Sequence, residues 1–284
     1  MFKTLSLSQF IEKYKSQNKE VDIIGLSPSI IAYDRTRDVT RIALNKSWYL
    51  IKSDFLITIH PTESLIDFED YKNLPSVIIC GFEKWKNFES TLNSKKNLLL
   101  IKELKKRKII LFKYRIQNEN FLSFDPSNAG RNLFTINFPK SNFLYMWSSI
   151  SQPAMHLAYL MNYKKINLIG CEAIDIKGKS HAIGKSRWNG VPANYRLNQY
   201  IQGNLDLAYE LRKRNVQINT ITPYVGLNLY EKQLNSLQKT FNIRVEPNIK
   251  YLLSKKEIKN YILYLLAKIF SKAKLLKVIS LIRK

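Results

Sequence analysis

Residues 21–30 read VDIIGLSPSI. A short apolar run ends at Gly25, and Ser27-Pro28-Ser29 follows with the signals of a helix start: a hydroxyl at the cap and a proline just inside. A strand running straight into a turn and a helix is the first half of a βαβ unit. The same alternation continues outward. Apolar, β-rich runs recur at VTRIAL (39–44), DFLITIH (54–60), SVIICGF (76–82), KIILFKY (108–114), KINLIGC (165–171) and VQINTIT (216–222). Between them lie ESLIDFEDYKNL, EKWKNFESTLNS, QPAMHLAYLMNY and QYIQGNLDLAYELRKRN, with apolar residues at helical spacing. Near-continuous apolar strands separated by amphipathic helices imply a parallel sheet covered on both faces. The expected fold is α/β: a single Rossmann-like, doubly wound, mainly parallel sheet.

Two segments break the alternation. Residues 115–147 are aromatic and polar without a clear period. Residues 173–198, AIDIKGKSHAIGKSRWNGVPANYRLN, carry three Gly, a Pro and several cations. Long irregular stretches of this kind usually serve function. The second directly follows a strand, which puts it at the carboxyl edge of the sheet, where open α/β folds bind ligands. It reads as a lid. We therefore expect a catalytic domain over 1–250, with its lid at about 173–198, and a separate tail over 251–284.

That tail, YLLSKKEIKNYILYLLAKIFSKAKLLKVISLIRK, holds nine Lys and Arg against one Glu. Ile258, Ile262, Leu265, Leu266, Ile269, Ala273 and Leu276 fall on one helical stripe. A basic amphipathic helix suits an anionic membrane surface. A helix packed on the domain with a solvated Lys face is the plainer alternative. Aromatics are not interleaved with the cations as single-stranded nucleic-acid binders require, so no nucleic-acid partner is expected.

The 284 residues carry 46 Lys and Arg against 22 Asp and Glu, for a net charge of +24. That points to an anionic partner and says nothing about fold. Lys, Ile and Asn are all abundant, so part of the excess is compositional bias. With 45% hydrophobic and 12% aromatic residues the chain can bury a core, which excludes a disordered or fibrous protein. Cys80 and Cys171 each end an apolar run and read as reduced thiols. No CxxC or Cys/His cluster suggests a zinc site. The first residues, MFKTLSLSQFIEKYKSQ, read as a short amphipathic helix, and no apolar run is long enough to span a membrane.

The residues that could carry chemistry gather at strand ends. Gly25, Ser27 and Ser29 form a strand–turn–helix corner of the kind that holds a phosphate. The dinucleotide fingerprint and the P-loop Lys are both missing from it. Asn45 follows the second apolar run and could read a base or sugar, or simply be a turn residue. His60 ends the third run. His156 lies within a helical pattern near its apolar face and reads as a packing residue. His181, in the lid among Lys179, Lys185 and Arg187, could be a general base or a phosphate donor. Ser148, Ser149 and Ser151 open a helix that leads into a strand ending at Gly170 and Glu172. Glu172 or Asp175 could act as a base or hold a ribose.

In this order the constellations resemble the bacterial sialyltransferases of the Campylobacter type, and more loosely lipopolysaccharide-core Kdo transferases. Those sialyltransferases open with a Gly-Asn-Gly-Pro-Ser-Leu turn, matched by Gly25-Leu26-Ser27-Pro28-Ser29-Ile30. Asn45 with Trp48-Tyr49 matches their next strand end, and His60-Pro61 matches an Asn-Pro. Ser149 to Ser151 stands for their Thr-Ser-Gly helix start. Asn162-Tyr163-Lys164-Lys165-Ile166-Asn167-Leu168-Ile169-Gly170-Cys171-Glu172 matches Gly-Tyr-Lys-x-Ile-x-Leu-x-Gly-x-Asp. The resemblance covers most of residues 20–225.

The resemblance implies a metal-independent glycosyltransferase with no DxD motif, a GT-A-like variant. It would need no cofactor beyond a CMP-activated donor carrying an acidic sugar of the sialic acid or Kdo type. The acceptor would be a lipopolysaccharide, lipooligosaccharide or capsule glycan. It also implies a cytoplasmic protein, peripheral on the inner face of the bacterial inner membrane, with homo-oligomer formation left open. Donor contacts would come from Gly25, Ser27, Ser29, Asn45, His60, Ser149, Ser151 and Gly170. Lys185, Arg187 and Tyr195 of the lid would join them at the phosphate. Two departures stand out. Leu26 replaces the family's donor-binding Asn, and no His follows residue 181 to act as the family's base. His181 is then the first candidate base, with Glu172 and Asp175 next. Competing readings are a pterin pyrophosphokinase-like or flagellin-glycosylation protein, and a non-enzymatic basic binder of nucleic acid or membrane surfaces.

Overall fold

A computed structural model describes residues 2–116, 143–171 and 203–220, apart from positions 3, 16–18, 28, 31–32, 67, 69, 93–96, 147–148, 205–206 and 209. The lid at 173–198 and the tail at 251–284 lie outside the described residues.

Among the described residues the sheet has nine strands, and every described pairing is parallel. In chain order they are β1 (Thr4–Ser6), β2 (Glu20–Ile24), β3 (Thr40–Leu44), β4 (Phe55–Thr58), β5 (Val77–Gly81), β6 (Lys108–Ile116), β7 (Phe143–Met146), β8 (Lys165–Ile169) and β9 (Gln217–Thr220). The spatial order is β1-β6-β5-β4-β3-β2-β8-β9, with β7 paired to the far end of β6. The seven apolar runs of the sequence are thus strands β2–β6, β8 and β9. From β2 the chain winds outward through β3 to β6, then returns to the other side of β2 with β8 and β9. The winding direction reverses between β2 and β8, the place where open α/β sheets take their ligands.

Helices cover both faces. One face packs Val21, Ile23, Ile57, Ile79, Ile166 and Leu168 against α1 (Leu7–Lys13), α6 (Ser151–Leu160) and the helical residues Leu207, Ala208 and Leu211. The other packs Ala43, Leu56, Ile78 and Ile109 against Trp48 of α2 (Ser47–Leu50) and Leu65 of α3 (Pro61–Leu65). Trp85 and Phe88 of α4 (Phe82–Thr91) and Leu100 and Leu104 of α5 (Leu98–Lys105) complete that layer. Both cysteines are free. Burial pushes the Cys80 thiol well up, which keeps it inert.

Several local expectations change. Ser27-Pro28-Ser29 does not start an α-helix: the turn is 3-10, with the Ile30 amide donating to Ser27 O at 3.0 Å and the Tyr33 amide to Ile30 O at 3.1 Å. The expected N-terminal helix is preceded by a strand, β1, and starts at a capping box formed by Ser6 and Gln9. Residues 115–147, read as irregular, contain the end of β6 and all of β7. In β7, Leu144 and Met146 are buried and Phe143 and Tyr145 half-buried, the period-2 pattern of a strand. Helix α5 was not foreseen, and the helix read over ESLIDFEDYKNL ends at Leu65.

The other unforeseen feature is polar. On the face opposite α6, two side-chain rows cross the sheet in register: Glu20–Lys165–Gln217, and Arg41–Asp22–Asn167–Asn219. Asp22 is fully buried. It accepts from Tyr33 Oη at 2.7 Å, Arg37 Nε at 2.9 Å and Asn167 Nδ2 at 2.6 Å. Arg37 also pairs with Glu20 at 2.6 Å. Burial and the neighbouring Asp22 push the Tyr33 hydroxyl up to about 12. Burial works against the Glu20 charge, but hydrogen bonds from Asn167, Lys165 and Arg37 outweigh it and lower its pKa. A buried carboxylate persists only when its lone pairs are filled in this way.

Candidate functional site

The carboxyl ends of β2, β3, β4 and β8 meet at the switch point. After β2, the Gly25 amide donates to Ile169 O at 2.7 Å and the Ser27 amide to Gly170 O at 2.9 Å, so the β2–β8 ladder runs on past both strands. Gly170 has φ +59, a left-handed conformation that a side chain resists. The two glycines bring the backbones into contact. Ser27 and Ser29 are buried, and Ile24, Ile30, Tyr33, Ile51 and Ile169 form a small apolar cluster.

Ser47 ties the next two strand ends together. Its buried hydroxyl donates to Ile24 O at 2.6 Å and accepts from the Leu44 amide at 2.9 Å. Asn45 stands between these anchors with φ 51, a conformation Asn tolerates better than most residues. Its amide N–H donates to Ile57 O at 3.1 Å, and its side-chain Oδ1 accepts from Thr58 Oγ1 at 2.8 Å. Thr58 ends β4, and the His60 N–H donates to its hydroxyl at 3.0 Å. His60 is half-buried and caps α3 with Pro61 as the first helical residue. Trp48 Nε1 donates to Ser64 O at 2.9 Å and holds α2 against α3.

Helix α6 starts beside the end of β7. Ser149 and Ser151 hydroxyls lie 2.7 Å apart, and Ser151 Oγ donates to Asn204 Oδ1 at 2.9 Å. The Ser151 proton is thereby taken, so Ser149 donates to Ser151. The sequence reading missed Asn204, which lies far along the chain in a pattern that reads only as an amphipathic helix. His156 is fully buried inside α6, as the packing reading expects. Its Nδ1 accepts from the Tyr145 amide at 2.8 Å and ties α6 to β7. Burial, reinforced by the Arg214 charge, pushes His156 down to about 3, so it is neutral.

Of the predicted site residues, Gly25, Ser27, Ser29, Asn45, His60 and Gly170 fall at the ends of β2, β3, β4 and β8, and Ser149 and Ser151 fall at the start of α6. Glu172, Asp175, His181, Lys185, Arg187, Tyr195 and Ser148 lie outside the described residues. Among the described residues no group of three or more His, Cys, Asp or Glu could hold a metal ion. No helix among them is long and apolar enough to cross a membrane.

No family model matches the chain, and no curated protein matches its sequence. Solved structures similar to it include Campylobacter sialyltransferases. Sialyltransferase CstII from Campylobacter jejuni, in complex with the substrate analogue CMP-3FNeuAc, aligns at 14% identity and a TM-score of 0.39, over 72% of this chain and 82% of that one. The same enzyme with cytidine-5'-monophosphate aligns at 16% and 0.40, over 75% and 86%. The monofunctional alpha-2,3-sialyltransferase Cst-I from Campylobacter jejuni aligns at 15% and 0.39, over 75% and 82%. Likeness at this level assigns no activity.

Proposed function

We propose that the chain is a glycosyltransferase that moves an acidic sugar, of the sialic acid or Kdo type, from a CMP-activated donor to a lipopolysaccharide, lipooligosaccharide or capsule acceptor. The observation that carries this reading is convergence. Motif residues matched at Gly25–Ser29, Asn45, His60 and Gly170 are scattered in sequence but gather along one sheet edge, at the point where the winding reverses. The proposal includes no metal and no cofactor besides the donor.

The chemistry sets the demands. The bond between the sugar carbon and the phosphate oxygen breaks, and its electron pair leaves with CMP. The acceptor oxygen bonds to that carbon and gives its proton to a base. Negative charge grows on the phosphate, so preorganised donors aimed there stabilise the transition state. The turn after β2 and the Asn45 side-chain amide suit the nucleotide side. Lys179, Lys185, Arg187, Tyr195 and Arg196 of the lid suit the phosphate, and His181 suits the proton. A closing lid would also keep water from an activated sugar. The net charge of +24 favours an anionic donor and a phosphorylated glycolipid acceptor. In this reading the tail at 251–284 holds the protein on the inner face of the inner membrane.

A thermal-shift series with CMP, CDP, UDP, ADP and ATP tests the donor class. A ligand at a hundred times its Kd stabilises by about 2.7 kcal/mol. CMP is expected to raise the melting temperature more than UDP or ADP. Stabilisation by UDP or ADP with none from CMP would sink the reading.

A further inference from the structure

Thr58 is fully buried at the end of β4, and its hydroxyl sits at the centre of three contacts. It lies 2.8 Å from Asn45 Oδ1, 2.9 Å from Ser64 Oγ and 3.0 Å from the His60 amide nitrogen. A hydroxyl has one proton and two lone pairs, so the direction of each bond can be worked out. The His60 N–H can only donate. It fills one lone pair. Ser64 is also fully buried, and Thr58 is its side-chain partner among the described residues. Were Thr58 to donate to Ser64, the Ser64 proton would be buried without an acceptor, the costly case. Ser64 therefore donates to the second lone pair. The single Thr58 proton then goes to Asn45, which must turn its oxygen inward. What Asn45 then turns away from Thr58 is Nδ2 with its two donors, while Oδ1, held on the Thr58 side, keeps one lone pair.

We propose that Thr58 and Ser64 are positioning residues that fix the orientation of the Asn45 amide at the sheet edge, with Oδ1 toward Thr58 and Nδ2 away from it. A ligand that bonds Nδ2 must present an acceptor, an oxygen or an unprotonated ring nitrogen. The lock follows from the hydrogen bonds alone; that the ligand is CMP rests on the reading above. Neither Thr58 nor Ser64 touches the ligand. The signal for the lock was weak in the sequence, since TIHPTES shows hydroxyls beside a strand end without showing where their protons go.

The test is CMP titration of the full chain as wild type, Thr58→Val, Thr58→Ser, Asn45→Asp and the Thr58→Val/Asn45→Asp double variant. Losing the lock is expected to weaken CMP about tenfold in Thr58→Val, the equivalent of one hydrogen bond, while Thr58→Ser stays within about twofold. Asn45→Asp, which has no donor, should lose at least as much, and adding Thr58→Val to it should lose little more. Wild-type affinity in a folded Thr58→Val, or full additivity in the double variant, overturns the proposal. The side-chain amide protons of Asn45 give a readout that needs no nucleotide and no variant. With the oxygen held by Thr58 they exchange freely with solvent in the unliganded wild type. Protection there, meaning that the nitrogen faces Thr58, also overturns it. A wild type that binds no CMP sinks the nucleotide reading, and amide exchange still decides the lock.

Discussion

A Cβ added to Gly25 would lie 2.0 Å from the carbonyl oxygen of Gly170, and one added to Gly170 would lie 3.3 Å from that of Gly25. The two glycines end β2 and β8, on either side of the point where the winding of the sheet reverses. No side chain fits between them, so backbone packs directly on backbone at this point.

The two positions should respond differently to alanine. At Gly25 the clash is with backbone, which cannot swing aside, and we expect Gly25→Ala to cost at least about 3 kcal/mol or to prevent folding. Gly170→Ala meets Ile30 Cβ at 3.2 Å and a φ of +59, and should cost about 1–2 kcal/mol. Urea unfolding of both variants checks the order. Equal, small losses would mean that the contact is not tight.

His156 makes stability depend on pH. Its pKa is about 3 in the folded protein and its ordinary value is 6.5. Between those values the unfolded chain binds the proton and the folded one does not. The stabilisation is fully present above pH 6.5 and is lost as pH falls toward 3, at up to about 1.4 kcal/mol per pH unit. His156→Leu should remove that slope and, by removing the acceptor of the Tyr145 amide bond, cost about 1–3 kcal/mol at neutral pH. Unfolding free energies of both proteins from pH 4 to 8 give the comparison. Parallel pH profiles would show that His156 is not buried neutral.

Asp22 anchors Tyr33, Arg37 and Asn167 at once. Asp22→Ala removes the buried acceptor shared by Tyr33, Arg37 and Asn167 and leaves the last two with Glu20, and we expect a loss of about 3–5 kcal/mol. Arg37→Ala strands a buried carboxylate and should be of similar size. The double variant should cost less than the sum of the two. Additive losses would mean that the pair is not coupled.

The tail gives a prediction separate from the fold. Deleting residues 251–284 should release the protein from vesicles containing anionic phospholipid while its melting temperature stays within a few degrees. A truncated protein that aggregates or melts far lower would mean that the tail packs into the core.

For the base, a positioned proton acceptor contributes about 10²–10⁴-fold. His181→Ala should lower kcat at least about 10²-fold and leave CMP affinity nearly unchanged. Activity kept in that variant but abolished in Glu172→Gln or Asp175→Asn would assign the base to a carboxylate.

Much of the scaffold was legible because burial on two faces leaves a strong mark. SVIICGF and KINLIGC have no polar face to hide, so their period and length announce inner strands of a parallel sheet. Short elements left weaker marks. Thr4–Ser6 forms a strand only because β6 offers its edge, and Phe143–Met146 only because β6 extends far enough to pair with it. Ser27-Pro28-Ser29 has the local signals of a helix, yet the backbone is held by Gly170 O and turns as 3-10 instead.

The sequence by itself determined the alternation of strands and helices, the excess of positive charge and the residue types available at each strand end. These depend on local periodicity and charge, which a linear chain carries in full. Tertiary structure alone decided strand order, and with it the reversal between β2 and β8 that brings Gly25 to Gly170. It also decided the partners: Asp22 with Asn167, Ser151 with Asn204, and Thr58 with Asn45 and Ser64. Spacing along the chain does not encode such pairs. They are selected because a buried polar atom must find its partner across the fold or remain unsatisfied.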